Sequence, residues 1–481
     1  MNKVSVNVKK RKIENTVLAI LSIILLAVLF SAGILLSTAG IKVFTTNYLN
    51  AIGYFLFVLF VFMVYFLYQI FYRKTSGSLF NELVISYVII VISSAISVLL
   101  SYYLHPFLIV LASAPLICGI LISKRVGMVI NAMSSIIVLI SFVVIGIITG
   151  VAITPSQVYA VILSMLTGIV MIYIINKNYS RYKLSIGGFL VSVCMFPVSF
   201  LLSVAYETNL LKALTNSLML LAGNLFSVTL FVAFLPILEV VFKVWTNFKY
   251  SELSSFNQPL LKRLSAEAPG TFNHSLIVGN LAESCALAIG ENSYIARVAG
   301  YYHDVGKIKN PEFFVENQKE GYNPHNDLIP EVSVNIIKKH TIDGYEMLKE
   351  AGLPKIICNM ALEHHGKSQI QFFYLKAKNI TEGEINSQAY MYDNPLPQNK
   401  IAAILMIADT VEAASRAKGL QDKTDLQNFI DSIVKHKLDT HQFDDCDITM
   451  KDLKIIKSTI VEVLPAIYHK RIDYPTEKKN D

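Results

Sequence analysis

The sequence predicts an all-α protein: a polytopic transmembrane helical bundle followed by a cytoplasmic all-helical domain. Three observations predict it. Of 481 residues, 53% are hydrophobic and the mean hydropathy is +0.50, too apolar for a chain that folds wholly in water. Apolar runs of about 20 residues, the length that crosses a hydrocarbon core as a helix, recur as far as Lys243. After Trp245 the composition turns polar at once, and apolar residues recur with helical rather than alternating spacing.

Residues 1–243 carry about eight spans, at roughly 16–37, 49–71, 83–104, 106–122, 128–150, 156–175, 184–205 and 218–242. Only His105-Pro106 divides the third from the fourth, because proline ends a helix there. Loop charge orients the set. Alternate connections hold Lys9, Lys10, Arg11 and Lys12, then Arg73 and Lys74, Lys124 and Arg125, Lys177, Arg181 and Lys183, and finally Lys243 and Lys249. The others hold Lys42, then Glu207 with Lys212, and nothing charged near Thr154-Pro155. The basic set is expected inside, which makes this a multi-pass cell-membrane protein with both termini and the polar domain cytoplasmic. Cleavage of the first span near Ser37-Thr38-Ala39 would leave seven spans and the same orientation; its apolar run is long for a signal sequence. The outer connections are short, so no extracytoplasmic domain is expected. Within the bilayer, Asn131, Asn216 and Asn224 are expected to join helices by hydrogen bonds, and Glu239 to reach the interface. Nothing resembles the intramembrane charges of a transporter.

The net charge of +7 lies beside apolar segments, so it reads as topology signal and attraction to membrane lipid, not as a nucleic-acid footprint. The five cysteines are scattered with no CxxC pair, as expected of reduced structural residues.

Residues 244–264 read as a linker helix, and 265–474 as one all-α domain large enough for its own core. Helices are expected over 275–288, ended by Gly290, and from an Asn292-Ser293 cap to Tyr302. Others follow over 331–340, 356–364, 400–416 and 451–468, and the tail 475–481 is expected to be disordered.

Seven potential metal ligands recur through this domain: His274, His303, Asp304, His340, His364, His365 and Asp409. His303 and Asp304 end one helix, and His364 and His365 another. Adjacent helical residues point about 100° apart, so one segment can reach two metals and the carboxylate can bridge them. Asp409 lies in the apolar run 401–414, where a bare carboxylate is costly and a metal is a natural partner. Imidazole and carboxylate without thiolate suit iron, manganese, cobalt or zinc. Two divalent ions so held can activate water for attack on phosphorus and neutralise the developing charge. Asp304 and Lys307 are the expected catalytic side chains, with Lys307 on a phosphate oxygen. His325 reads as a turn residue, and His105, His436, His441 and His469 lie outside the pattern.

The ordered motifs at 267–275 (Glu-Ala-Pro-Gly-Thr-Phe-Asn-His-Ser), 301–307 (Tyr-Tyr-His-Asp-Val-Gly-Lys), 313–318 (Phe-Phe-Val-Glu-Asn-Gln), 323–326 (Asn-Pro-His-Asn), 363–366 (Glu-His-His-Gly) and 408–416 (Ala-Asp-Thr-Val-Glu-Ala-Ala-Ser-Arg) resemble the bacterial seven-transmembrane HD-domain phosphohydrolases of the cyclic di-AMP phosphodiesterase type. The resemblance implies an HD phosphohydrolase domain that hydrolyses cyclic di-AMP to pApA. His274, His303, Asp304 and Asp409 would hold one metal, and His340, His364 and His365 a second bridged by Asp304. Iron or manganese is the implied metal, a cyclic dinucleotide the implied partner, and a homodimer is left open. Two departures stand out. The family's large extracytoplasmic domain after the first span is replaced by a short connection near 38–47. The family's Tyr-Pro-Gly-Pro-Lys-Pro-like loop reads here, from Met391 to Lys400, as Met-Tyr-Asp-Asn-Pro-Leu-Pro-Gln-Asn-Lys, which bears on substrate preference. The Gly-Tyr-Pro signature of a related cyclic di-GMP-cleaving group does not follow His364-His365. Alternatives are a hydrolase of cyclic di-GMP or a guanosine alarmone, and a non-catalytic nucleotide-binding membrane receptor.

Overall fold

The computed structural model describes residues 2–41, 43–72, 79–174, 181–207, 209–318, 322–381, 384–418 and 423–467. These are helical, with one isolated bridge between Gln369 and Met391 in place of any sheet. The expected disordered tail lies outside them. The chain forms two compact units, Met1–Phe248 and Lys249–Asp481.

The first unit contains α1 (Asn2–Ala39), α2 (Val43–Thr46), α3 (Tyr48–Tyr72), α4 (Leu79–Tyr103), α5 (Ser113–Leu121), α6 (Lys124–Thr149), α7 (Pro155–Ile174), α8 (Arg181–Tyr206) and α9 (Leu210–Val241). Seven of these, all but α2 and α5, are long and apolar enough to cross a bilayer, and the protein is a multi-pass membrane protein. The fourth expected span, 106–122, is not a continuous helix. Its first part is non-helical and its second is the nine-residue α5.

The reason is local. Proline at 106 offers no N–H, and hydroxyls of α4 take over polar groups a helix would have satisfied. Ser101 Oγ donates to the Pro106 carbonyl and the Val110 N–H donates to Ser97 Oγ, each at 3.1 Å. Phe107, Ile109, Val110, Leu111 and Ala112 are buried, as non-helical backbone at membrane depth must be. Ile109 lies against Gly223, near the middle of α9. The stretch opens with a turn, the Leu108 amide donating to the His105 carbonyl at 2.8 Å, and leads into the nine helical residues of α5. Glu239 also differs from expectation: it is 1% exposed and pairs with Arg181 at 3.0 Å instead of reaching solvent.

In the second unit the expected linker helix is two short ones, α10 (Asn247–Leu253), which starts just before the unit boundary, and α11 (Pro259–Glu267), because Pro259 starts a new helix. There follow α12 (Pro269–Ile289), α13 (Ser293–Tyr302), α14 (Pro330–Glu350), α15 (Lys355–Glu363), α16 (Gln371–Ile380), α17 (Lys400–Lys418), α18 (Lys423–Asp439) and α19 (Met450–Ile467). Gly290, at φ 81°, ends α12, and Asn292 Oδ1 caps α13 by accepting from the Tyr294 and Ile295 amides. The 331–340 segment does not end at His340; α14 continues for ten more residues, which places His340 mid-helix. Residues 401–408 of α17 are all buried, and α12, α13, α15 and α18 pack around that helix.

Candidate metal centre

Five segments converge on one buried point. His274 comes from the second turn of α12, His303 and Asp304 from the end of α13, His340 from mid α14, His364 and His365 from the end of α15, and Asp409 from α17. All seven sequence-predicted ligands are therefore brought together. Two clusters form, His274 with His303 and Asp304, and His340 with His364 and His365, each with its ligand atoms within 4.8 Å of one another.

Asp304 lies between them. Its Oδ2 is 3.3 Å from His303 Nε2 and 3.6 Å from His274 Nε2; its Oδ1 is 3.3 Å from His340 Nε2 and 3.6 Å from His364 Nε2. Asp409 has a similar split, with Oδ1 3.0 Å from His274 Nε2 and Oδ2 3.7 Å from His365 Nδ1.

The outer nitrogens fix the tautomers. Nδ1 of His303, His364 and His340 donates to the carbonyls of Gly300, Ala361 and Ile337 at 2.8, 2.9 and 2.5 Å. Nδ1 of His274 donates to Glu412 Oε2 at 2.5 Å. Each neutral ring therefore turns a bare Nε2 lone pair inward. His340 Nε2 and His364 Nε2 face each other at 3.3 Å, so two neutral rings would have no proton to share there. His303 Nε2 and Asp304 Oδ1 make no hydrogen bond among the described residues. Inward lone pairs beside buried carboxylates are what a pair of cations satisfies, so the donor set fits metal.

Electrostatics divide the pocket. Burial opposes charge on His303, but the adjacent Asp304 and Asp409 raise its imidazole to about 10. Burial would raise Asp304 and Asp409, yet His303 and Lys307 hold the first well below the usual carboxylate range, and His274 and His303 the second. Burial takes His364 down to about 4 and His365 well below its ordinary value. Ionised carboxylates and neutral imidazoles are the forms that ligate metal, and His303 must release its proton to join them.

Lys307 lies beside the cluster, held by two carboxylates. Its ammonium donates to Asp304 Oδ2 at 2.7 Å and to Glu316 Oε1 at 2.9 Å, over the Phe314 ring. Four other residues were not singled out from the sequence. Glu412 backs His274, and its signal was its i,i+3 spacing from Asp409 on one helix face. Glu316 anchors Lys307. Tyr392 stacks on His365 with ring centroids 4.5 Å apart. Lys437, buried on α18 with Ser368 Oγ at 2.9 Å, had no signal in a segment that reads as charged surface. His325 is a structural residue, its Nε2 donating to the Phe313 carbonyl at 2.9 Å.

Residues 48–246 match the family model described as "7TM receptor with intracellular HD hydrolase", and residues 271–414 match that of the HD domain. The chain is 41% identical over 323 residues to the cyclic-di-AMP phosphodiesterase PgpH of Listeria monocytogenes, covering 66% of this chain and 44% of that protein. It is 37% identical over 317 residues to PgpH of Bacillus subtilis, covering 66% and 44%. The chain thus spans less than half the length of these curated relatives. The crystal structure of the L. monocytogenes PgpH HD domain is 46% identical, covers 44% of this chain and 100% of its own, and aligns with a TM-score of 0.42.

Proposed function

The chain belongs to the family of 7TM receptors with an intracellular HD hydrolase, and from that premise we propose that it is a membrane-anchored, dinuclear metal-dependent phosphodiesterase that hydrolyses cyclic di-AMP to pApA. The observation that carries the reading is Asp304, whose two oxygens lie 3.3 Å from imidazoles of two different clusters. In this assignment His274, His303, Asp304 and Asp409 hold one divalent ion, and Asp304, His340, His364 and His365 the other. Iron or manganese is the expected pair. The ions, when bound, supply Lewis acidity that polarises a phosphoryl oxygen and acidifies water.

The protein's own groups do the rest. Glu412 and three backbone carbonyls keep the imidazoles in the ligating tautomer. Lys307 positions Asp304 and neutralises part of its charge. Tyr392, itself buried, stacks on His365 and stands edge-on to His340, which holds both imidazoles in place. The reading includes a cytoplasmic HD unit, supported by the excess of Lys and Arg in alternate connections of the membrane half.

The test is metal analysis and product identification on the purified protein with cyclic di-AMP, cyclic di-GMP and guanosine tetraphosphate. Asp304→Ala and His303→Ala are expected to lose bound metal and all turnover. Wild-type-like hydrolysis by either variant would refute the assignment. Preferred cleavage of another nucleotide would change the substrate, and binding without turnover would favour the receptor reading.

A further inference from the structure

The membrane unit contains a second polar constellation. Hydroxyls inside this bundle usually bond the carbonyl four residues back, as Ser135, Thr167, Ser192, Ser217 and Ser227 do at 2.8 to 2.9 Å. Ser134 on α6 and Ser164 on α7 do not. Both are fully buried, and their Oγ atoms have no partner among the described residues. Two buried amides share their fate. Asn131 donates to the Met165 carbonyl at 2.8 Å and Asn224 to Thr167 Oγ1 at 3.4 Å, but the Oδ1 of each is unpartnered among the described residues. Exchanging amide O and N would still leave one polar atom unmet on each.

These groups are neighbours. Asn131 Oδ1 lies 2.6 Å from where a Cβ on Gly168 would be, next to Thr167 and one turn from Ser164. Asn224 follows Gly223, which seats the non-helical backbone at Ile109. Gly127 fits between Pro115 and Gly119, so Asn131, one turn further along α6, comes near the start of α5, and Ser134 follows on the same face. That start is buried, and its cap residue, Ala112, offers no side-chain acceptor. Helix α5 packs against α6, α7 and α9, the helices that carry the orphaned groups.

We propose that this point, where the chain resumes as a helix, is a binding site for a small uncharged molecule that both donates and accepts hydrogen bonds, either water or a hydroxylated solute. The chemistry excludes charged ligands. The positive end of α5 repels a cation, and the amide oxygens, with no cationic side chain within a turn on their own helices, repel an anion. An unmet buried polar group costs about 1–3 kcal/mol, so four together call for an occupant. The site lies wholly within the first unit, apart from the residues of the metal centre.

The full chain in lipid nanodiscs tests this through its Tm. Ser134→Ala and Ser164→Ala are each expected to lower Tm by about 2–4 °C, with the double variant losing less than the sum because both groups hold one occupant. Ser192→Ala and Ser217→Ala, which remove back-bonded hydroxyls, are the references. An unchanged or raised Tm in Ser134→Ala and Ser164→Ala would overturn the proposal, since deleting a hydroxyl with no partner relieves its desolvation cost. Strict additivity would overturn the single site. Glycerol distinguishes the occupants: stabilisation of the wild type beyond that of the double variant assigns a hydroxylated solute, and equal stabilisation assigns water.

Discussion

The Nδ1–H of His274 meets a carboxylate, whereas the other three ligand imidazoles with a fixed Nδ1 meet neutral carbonyls. A charged acceptor makes the opposite nitrogen a stronger base, so Glu412 tunes one metal position more than the other. Glu412→Gln keeps the shape and removes the charge. It is expected to weaken that position about 10- to 100-fold, read as metal retained against graded chelator; undiminished retention would remove Glu412 from the centre. Lys437 presents a different balance. Burial lowers its ammonium from 10.5 to about 8, with Asp409 only partly offsetting the loss of water. Between those values the unfolded chain holds the proton and the folded chain does not, so stability rises with pH across about 8 to 10.5, by about 3 kcal/mol in all. Lys437→Met is expected to flatten that rise in pH-dependent Tm and to be the more stable protein below pH 8. An identical slope in the variant would show that the buried ammonium is not its source. Glu412 carried only the weak signal of its i,i+3 spacing from Asp409, and Lys437 none, for one reason. A ligand can be recognised by its type and spacing, but a residue that backs a ligand is defined by its neighbour across the fold.

At the scale of elements, spacing told where helices begin and end at the marks of Asn292, Gly290 and Pro330, but not at Pro269, where α12 starts a turn and a half before the expected 275. It did not tell where a helix passes through a functional residue without a break. His340 was expected at the end of a 331–340 helix, but no cap or proline follows it and α14 runs on to Glu350. Apolar length likewise suggested a helix over 106–122 that the fold does not form, because the hydroxyls that support its non-helical stretch belong to α4, and hydropathy does not register them. The junction between the His303-Asp304 segment and α14 rests on Gly306, where a Cβ would lie 2.0 Å from the His340 carbonyl oxygen and 2.5 Å from the Gly344 amide. Backbone cannot yield as a flexible side chain can. Gly306→Ala is therefore expected to push Asp304 away from His340, to cost about 2–3 kcal/mol as overpacking does, and to empty the metal position that joins them. Full occupancy of two metals in a stable Gly306→Ala protein would show that the two elements can separate without loss.

For the whole molecule, two compact units mean that stability is not one number. Every ligand of the proposed metal pair lies in the second unit, so removing metal should lower that unit's unfolding transition and leave the membrane bundle's unchanged. The size of the gap depends on pH in a direction the pocket fixes. Without metal, the burial cost of charge on His303 is outweighed by Asp304 and Asp409, and its folded value is about 10 against 6.5. A raised value stabilises the fold fully below the unfolded pKa, and the benefit is lost as pH rises through the folded one. With metal bound, that proton is gone and the dependence goes with it. The difference in Tm between loaded and chelator-stripped protein should therefore widen as pH rises from 6.5 to 8, a window below the titration of folded Lys437. Calorimetry of both forms in the same lipid decides it. A gap that stays constant or narrows over that window would mean that His303 does not hold the proton in the stripped pocket, and a shift in both transitions would mean that the metal stabilises more than the unit that carries its ligands.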